Sequence, residues 1–207
     1  MEKVLDVYEH EYNPRRPVIC FDERPCQLLN EVVMPLAMES GKIQRQDYHY
    51  ERNGTCVVMM AVEPLAGQRT LKVTEQKTKK DYAQFMKALS DRYSQAEKII
   101  LVQDNLNTHN PSSFYETFEA QEAFELSQRF DFVYTPKKAS WLNMAEIELS
   151  ALSKQCLDRR IGDMKTLAKE VRPWARDRNR KKTRISWQFT KNKARDKFFR
   201  FYDAVNN

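Results

Sequence analysis

A short apolar run, KIILV at residues 98–102, passes directly into the polar stretch QDNLNTH, which ends at His109. Consecutive isoleucine, leucine and valine residues predict a buried strand from about Lys98 to Gln103. The polar groups behind it must be solvated or paired, because an unpaired carboxylate is costly to bury. The chain must therefore form a sheet whose edge at Asp104 is polar, and ligand sites are often found at such edges.

The rest of the sequence alternates strand and helix patterns, which predicts an α/β domain. The first strand, Val18 to Phe21, ends on the charged pair Asp22-Glu23. The dipeptide Asn53-Gly54 predicts a hairpin turn, because both central residues of such a turn need positive φ. The further predicted segments are strands near 47–51, 55–63, 69–75 and 130–134, helices over 79–96, from 111, from 143, over 163–172 and over 190–202, and a solvent loop at 175–184, ARDRNRKKTR.

The composition fits a single compact domain. The chain has 207 residues, of which 41% are hydrophobic and 31% charged, with only four glycines, so long disorder is not expected. The four cysteines form no C-x-x-C pair, which favours free core thiols over metal ligands. A polar N-terminus and the lack of an apolar run of about 20 residues argue against a signal peptide or membrane span. We expect a cytoplasmic protein.

Charge is distributed unevenly along the chain. The formal net charge is +6, yet the segment from Arg172 to Arg200 carries twelve lysines or arginines against two acids, so the remainder is net negative. This pattern favours a polyanionic partner such as nucleic acid. A solvated, lysine-rich helical end is the alternative, and charge alone leaves both open.

Three acids occupy comparable positions: Asp22 after the first strand, Asp104 after the apolar strand, and Glu146 in the first turn of a helix. Functional groups collect at strand ends in open α/β sheets, so these side chains can meet. Two carboxylates about 4 Å apart repel by roughly 4 kcal/mol at an effective dielectric constant near 20, so such a cluster takes up protons or a cation. Oxygen ligands alone favour Mg²⁺ or Mn²⁺. Two such ions would serve phosphoryl transfer on nucleic acid.

The two aspartates also have structural interpretations. Asp22 can pair with Arg24, and Asp104 can form an Asx-turn with Asn105 where the strand ends. Either arrangement would satisfy the carboxylate without any metal ion.

The glutamate is ambiguous in two ways. Asn143 predicts a helix N-cap, and Glu146 three residues later can close a capping box with it. Helical spacing also leaves Glu146 and Glu148 as competing candidates, because they lie about 160° apart on opposite flanks of the apolar stripe.

Three blocks, CFDERP, VQDNLNTH and PKKASWLNMAEIE, occur in this order and resemble the acidic blocks of the mariner-like bacterial insertion-sequence transposases. That family belongs to the DDE transposase/integrase superfamily. The stretches YHYERNGTCVVMMAVEPLAGQR and ISWQFTKNKARDKF are also similar to it, so the resemblance covers nearly all of residues 17 to 202. It implies an α/β ribonuclease-H-like fold: a mixed sheet with an antiparallel three-strand start followed by βα units, and helices on both faces.

By motif, the resemblance implies that Asp22, Asp104 and Glu146 are the catalytic residues and hold two Mg²⁺ or Mn²⁺ ions, with Asp104 shared by both. Family members cut donor DNA by hydrolysis and join the freed 3′ hydroxyl to target DNA. His109, in the pattern Asp-Asn-x-x-x-His, would support the ligands or contact phosphate, and a structural loop histidine is the alternative. Met144-Ala145 stands where many relatives carry a proline in LNPIE, which changes the start of the helix.

The implied partners are transposon ends and target DNA, bound by a homodimer that assembles on the DNA, associated with the nucleoid and without membrane contact. Three aromatic residues in the basic tail, Trp174, Trp187 and Phe189, can stack on bases or pack in the core. The basic tail can bind phosphates in a salt-dependent way. The candidate DNA-binding residues are His109, Lys137, Lys138, Arg180, Lys181, Lys182 and Arg184.

We expect three segments: a helical linker remnant at 1–16, the catalytic domain at 17–162, and a basic helical appendage packed on it at 163–207. The family carries a helix-turn-helix region ahead of the catalytic domain, and only about 16 residues precede the first strand here. A truncated copy, the second half of a frameshifted transposase and a domesticated remnant are the expected explanations. A nuclease of ribonuclease-H type and a non-enzymatic remnant for nucleic-acid binding or dimerisation are the alternative functions.

Overall fold

The structure, a computed structural model, describes residues 1–32 and 49–200. Within these residues, strands and helices alternate in the predicted α/β manner. The strands are β1 (Val18–Glu31), β2 (Tyr50–Glu63), β3 (Gln68–Thr74), β4 (Ile99–Gln103) and β5 (Phe130–Tyr134). The helices are α1 (Glu2–Tyr8), α2 (Lys79–Arg92), α3 (Ser112–Tyr115), α4 (Ala120–Gln128), α5 (Met144–Gln155, after a 3₁₀ turn at Ser140–Leu142), α6 (Met164–Arg180) and α7 (Lys191–Lys197).

The five strands form a mixed sheet with the order β3-β2-β1-β4-β5. β1, β2 and β3 are antiparallel, whereas β4 pairs in parallel with β1 and with β5. Parallel neighbours need a crossover connection, which α2 provides before β4 and α3 with α4 provide before β5. The predicted antiparallel start followed by βα units is confirmed.

β1 is longer than the sequence pattern predicted. The strand was expected to end at Phe21, but it continues to Glu31, so Asp22 lies inside β1 rather than behind it. The reason is the length of β2, which pairs with β1 as far as Glu31, whereas β4 pairs only with Val18–Cys20. Asp22 therefore lies just beyond the part of β1 that β4 covers.

The predicted hairpin turn at Asn53-Gly54 is wrong, because both residues lie inside β2. The register between β1 and β2 shifts between Gln27 and Leu29, opposite this dipeptide, which marks a β-bulge. Gly54 has a φ of +100°, a conformation that glycine adopts readily. The dipeptide thus serves a bulge instead of a turn, and the chain reverses at Gly67, whose φ is +67°.

The predicted solvent loop at 175–184 is also wrong in its first half, because α6 continues to Arg180. Pro173 lies inside this helix and removes one backbone hydrogen bond. Tertiary contacts hold the last turn instead: the Asn179 side chain accepts from the backbone N–H of Arg69 at 2.7 Å and donates to its carbonyl at 2.9 Å. Composition did not reveal this anchor, since the partner lies far away in the sequence.

The other segment predictions agree more closely with the structure. The strand at 130–134 matches β5, and the helix predicted over 79–96 ends at Arg92. The helix predicted over 190–202 ends at Lys197, and its last two residues lie outside the described residues. Residues 47 and 48 of the strand predicted near 47–51 also lie outside them, whereas Tyr50 and Glu51 belong to β2.

Helices cover both faces of the sheet. On one face, α2, α3 and α4 enclose a core that includes Phe21, Met59 and Phe85. On the other face, α5 and α6 pack on residues such as Val58 and Met60, and α1 and α7 extend this layer. Side chains alternate along a strand, so Asp22 and Phe21 point to opposite faces of the sheet. Asp22 points to the face that α5 covers.

The cysteines and the aromatic residues of the basic tail lie among apolar side chains. The four cysteines are free thiols, and Cys20 and Cys56 are buried. Trp174, Trp187 and Phe189 pack against the apolar clusters under α5, α6 and α7. In the parts of the chain that the structure describes, no helix combines the length and apolar character needed to cross a membrane.

Candidate active site

The parallel pairing of β1 and β4 brings two predicted acids together. Cys20 is paired with Val102, so the same register continued by two residues sets Asp22 level with Asp104. Level residues of neighbouring strands point to the same face of a sheet. Two acids that are 82 positions apart therefore lie side by side where β4 ends.

Asn143 attaches the first turn of α5 to β1. Its side-chain oxygen caps the helix by accepting from the N–H of Ala145 at 3.1 Å, an interaction that stabilises a helix by about 1 kcal/mol. Its amide donates to the Phe21 carbonyl at 2.8 Å and lies 3.4 Å from Asp22 Oδ2. One buried residue thus begins α5 and holds the turn that carries Glu146 beside Asp22.

The structure distinguishes Glu146 from Glu148. Glu148 is 1% exposed and accepts from Arg69 Nε at 2.8 Å and from Arg178 at 3.0 and 2.8 Å. Burial alone would raise the pKa of Glu148, but the hydrogen bonds from Arg69 and Arg178 hold it below its usual value. Glu148 is therefore committed to these two arginines.

Glu146 is exposed and remains available. The capping box is not formed, because Asn143 bonds to Ala145. Within residues 1–32 and 49–200, the Glu146 carboxylate has no hydrogen bond or ion pair. On α5, Glu146 is the acid that can act as a ligand.

Glu146 and Asp104 act electrostatically on Asp22. The pKa of Asp22 is raised to about 7, first by burial and then by the negative charges of Glu146 and Asp104. A hydrogen bond from the Glu23 N–H at 2.8 Å acts in the opposite direction. The ion pair between Asp22 and Arg24, which was the structural alternative, is absent from the described residues. This site therefore has an excess of negative charge that a cation would neutralise.

His109 supports Asp104 from the interior of the protein. It is 1% exposed and stacks on Tyr82 at 5.0 Å. Its Nδ1 contacts Asp104 Oδ1, and its Nε2 lies 3.2 Å from Glu23 Oε1. Gln103 donates to the His109 carbonyl at 2.9 Å, which folds the QDNLNTH loop back on the strand. This burial argues against a direct phosphate contact by His109 and favours the supporting role.

The contacts of His109 also set its charge. Burial lowers its pKa, but hydrogen bonds to the Asp104 and Glu23 carboxylates outweigh that effect and raise the pKa to about 9. The ring is therefore protonated at neutral pH, with an acid at each nitrogen. Asp104 is held by this imidazolium rather than by an Asx-turn, which was the structural alternative.

The site fits a divalent cation by donor type and charge. Asp22, Asp104 and Glu146 offer only carboxylate oxygens, which hard ions such as Mg²⁺ prefer. Within the described residues, no group of three or more acidic, histidine or cysteine side chains is gathered closely enough to form a finished ion site. The charges of Glu146 and Asp104 act on Asp22, but the three side chains would have to turn toward a common point to bind one ion.

The predicted DNA-binding residues fall into two separate regions. Lys137 and Lys138 are exposed in the loop after β5, at the same end of the sheet as Asp104. The exposed group Arg180, Lys181, Lys182 and Arg184 lies elsewhere, beside the turn between β2 and β3. There the N–H of Ile185 donates to the Pro64 carbonyl at 3.1 Å. This turn is at the end of the sheet where β4 begins, so the second group is remote from the acids.

Sequence reasoning missed two residues of this region. Glu23 was noted only as a charged neighbour of Asp22, although strand alternation assigns it to the opposite face, where His109 lies. Arg69 was not singled out, yet it is 2% exposed and donates to Glu148, Gly67 and Thr183. The position of Glu148 beside Leu149 and Leu152 was the available signal that this acid is buried.

Solved structures with a similar fold include several complexes of the Mos1 mariner transposase. They include the Mos1 mariner paired-end complex with Mn (15% identity, TM-score 0.54, 88% of this chain and 55% of that chain) and the Mos1 paired-end complex with the left transposon end (14%, 0.55, 88% and 58%). The Mos1 strand transfer complex is also similar (13%, 0.54, 90% and 60%). At these identities the likeness shows the fold, which is ribonuclease-H-like as expected. The chain spans between half and two thirds of the length of these proteins.

The family comparison covers most of the chain and includes the three acids. No curated protein matches the sequence at a significant level. The family model described as DDE superfamily endonuclease matches residues 17–168, from the start of β1 into α6. We conclude that the chain belongs to the DDE superfamily endonucleases.

Proposed function

We propose that this chain is the catalytic domain of a transposase, which cleaves DNA strands and joins the freed 3′ hydroxyl to target DNA. The observation that carries the proposal is the register that sets Asp22 level with Asp104 where β4 ends. Burial, followed by the charges of Glu146 and Asp104, raises the pKa of Asp22 to about 7, which supports it. Family membership supports the chemistry. The DNA complexes among the similar structures support DNA as the substrate.

Asp22, Asp104 and Glu146 would hold two Mg²⁺ or Mn²⁺ ions. The donor set supports this, as does the presence of Mn in one similar Mos1 complex and Mg in another. Cations bound at the three acids would supply the positive charge that activates a water and stabilises the leaving oxygen of a phosphodiester.

The protein's own residues prepare this site. His109 orients the Asp104 carboxylate, and Asn143 fixes the first turn of α5 against β1. Lys137 and Lys138, which are exposed in the loop after β5, would bind the substrate strand. The segment Arg180–Arg184 would contact a different part of the DNA. Two copies of the chain would pair when they bind DNA.

Nicking of supercoiled plasmid DNA in Mg²⁺ or Mn²⁺ tests the function. We expect the wild type to nick, and expect Asp22→Asn, Asp104→Asn and Glu146→Gln each to remove the activity, because a carboxylate ligand is lost without a change of shape. Glu119→Gln is a matched control, since Glu119 is an exposed acid that caps nothing at the start of α4. Nicking that survives all three ligand substitutions would contradict the proposal. Faster cleavage of an RNA–DNA hybrid than of DNA would instead indicate a ribonuclease-H-type nuclease.

A further inference from the structure

A cavity of about 480 Å³ lies between β1 and α5, directly beside Glu146. It is larger than a few water molecules require, and cation binding by the acids gives no role to Arg24 or to the lining residues Ser150, Ser153 and Lys154. The polar residues that line it are Glu23, Arg24, Glu146, Ser150, Ser153 and Lys154.

Arg24 lines this cavity and has one unsatisfied donor. It follows Asp22 by two residues in β1, so both side chains point to the face of α5. Its Nε is buried without a hydrogen-bond partner, and Arg24 has no ion pair within the residues that the structure describes. An unpaired buried donor costs about 1–3 kcal/mol. Such a cost is tolerated where a ligand supplies the missing acceptor.

The wall formed by α5 provides complementary groups. Ser150, Ser153 and Lys154 follow Glu146 by four, seven and eight residues, which puts them along one flank of the helix. Ser150 and Lys154 are exposed, and Lys154 has no ion pair in the described part of the chain. The Ser153 hydroxyl donates to the Leu149 carbonyl at 2.5 Å. The cavity thus has a guanidinium on one side, which has no carboxylate partner among the described residues and interacts with the Cys26 thiol, and an ammonium without an ion pair on the other.

The acids in the lining do not cancel these cations. Glu23 Oε1 lies 3.2 Å from His109 Nε2, and Glu23 Oε2 is buried without a hydrogen-bond partner. Glu146 belongs to the acidic cluster for which a divalent cation is proposed. Arg24 and Lys154 are therefore left to attract an anion, and a guanidinium binds phosphate oxygens in a bidentate manner.

We propose that this cavity is a subsite for a backbone phosphate of the bound DNA strand, next to the phosphate that is cut, and that Arg24 and Lys154 bind it. The inference rests on the proposed function for its substrate class, which is DNA, but not on cleavage. It assigns a DNA contact to β1 and α5 in addition to the basic groups predicted from the sequence.

Fluorescence anisotropy with a short labelled DNA duplex, titrated in Mg²⁺ buffer over a series of salt concentrations, tests the subsite. Arg24→Ala and Lys154→Ala should each weaken binding about fivefold and reduce the slope of log affinity against log salt by about 0.9, because each removes one phosphate contact. Arg24→Lys should keep the salt slope and recover only part of the affinity, since an ammonium lacks the guanidinium fork. Lys80→Ala is the control, because Lys80 is exposed on α2, across the sheet.

The outcomes separate this inference from the proposed function. Wild-type slopes in both alanine variants, or an equal loss in Lys80→Ala, would overturn the subsite even if the wild type nicks DNA. A reduced slope in both variants supports it even if no nicking is found. If Arg24→Ala does not give a wild-type circular dichroism spectrum, Arg24→Gln replaces it under the same criteria. Absence of any DNA binding by the wild type would overturn both proposals.

Discussion

Glu146 and Glu148 lie two residues apart on α5, yet their surroundings give them different roles. Glu148 is 1% exposed and binds Arg69 and Arg178, whereas Glu146 is exposed. We predict that Glu148→Ala lowers the free energy of unfolding by about 3–5 kcal/mol, because two cations are left without their partner. Glu146→Gln should change it by less than about 0.5 kcal/mol while it removes nicking. Urea denaturation followed by circular dichroism measures both; equal losses would contradict the assignment.

The same ion pairs predict how Glu148 contributes to stability in acid. The pKa of Glu148 is lowered in the folded protein by hydrogen bonds from Arg69 and Arg178, against the effect of burial. A carboxylate with a lowered folded pKa stabilises the fold above its unfolded pKa of about 4.3 and loses that contribution as the pH falls through the folded value. Between pH 7 and pH 3, wild-type stability should therefore fall more steeply than that of Glu148→Gln. Parallel curves from urea melts would contradict this.

At the scale of elements, the hairpin between β2 and β3 and the end of α6 fit closely around Gly67. A Cβ atom there would lie 2.5 Å from the Lys182 backbone, whereas a Cβ at Gly54 meets nothing within 4 Å. Both glycines have positive φ, so an alanine is strained at either site. We predict that Gly67→Ala lowers the melting temperature clearly more than Gly54→Ala. Equal shifts in calorimetry would show that the hairpin and α6 are less tightly packed than the structure has them.

At the scale of the whole molecule, local patterns predicted the elements that carry the acids. The run KIILV predicted β4, and Asn143 predicted the start of α5, since strand hydrophobicity and helix capping are properties of neighbouring residues. The Asn53-Gly54 bulge and the second half of α6 were mispredicted, because the partners that decide them are distant in the sequence. The bulge depends on its pairing with β1, and the end of α6 depends on the contact of Asn179 with Arg69.

In the candidate site, too, local patterns predicted part of the arrangement and missed the contacts between distant residues. The blocks around Asp22, Asp104 and Glu146 identified the acids, but periodicity could not choose between Glu146 and Glu148. That choice depends on Arg69, which lies in β3 and donates a hydrogen bond to Glu148. Likewise, the support of His109 by Glu23 depends on the pairing of β1 with β4, which no local pattern contains.

Isothermal titration calorimetry with Mn²⁺ tests the central claim, that three acids converge to bind divalent cations, without requiring any DNA. We predict that the wild type binds about two ions per chain and that Asp22→Asn, Asp104→Asn and Glu146→Gln each weaken binding. Asp104→Asn should have the largest effect, because Asp104 is proposed to be shared by both ions, and Glu119→Gln should bind as the wild type does. Wild-type protein that takes up no Mn²⁺, or three ligand variants that bind it unchanged, would contradict the account.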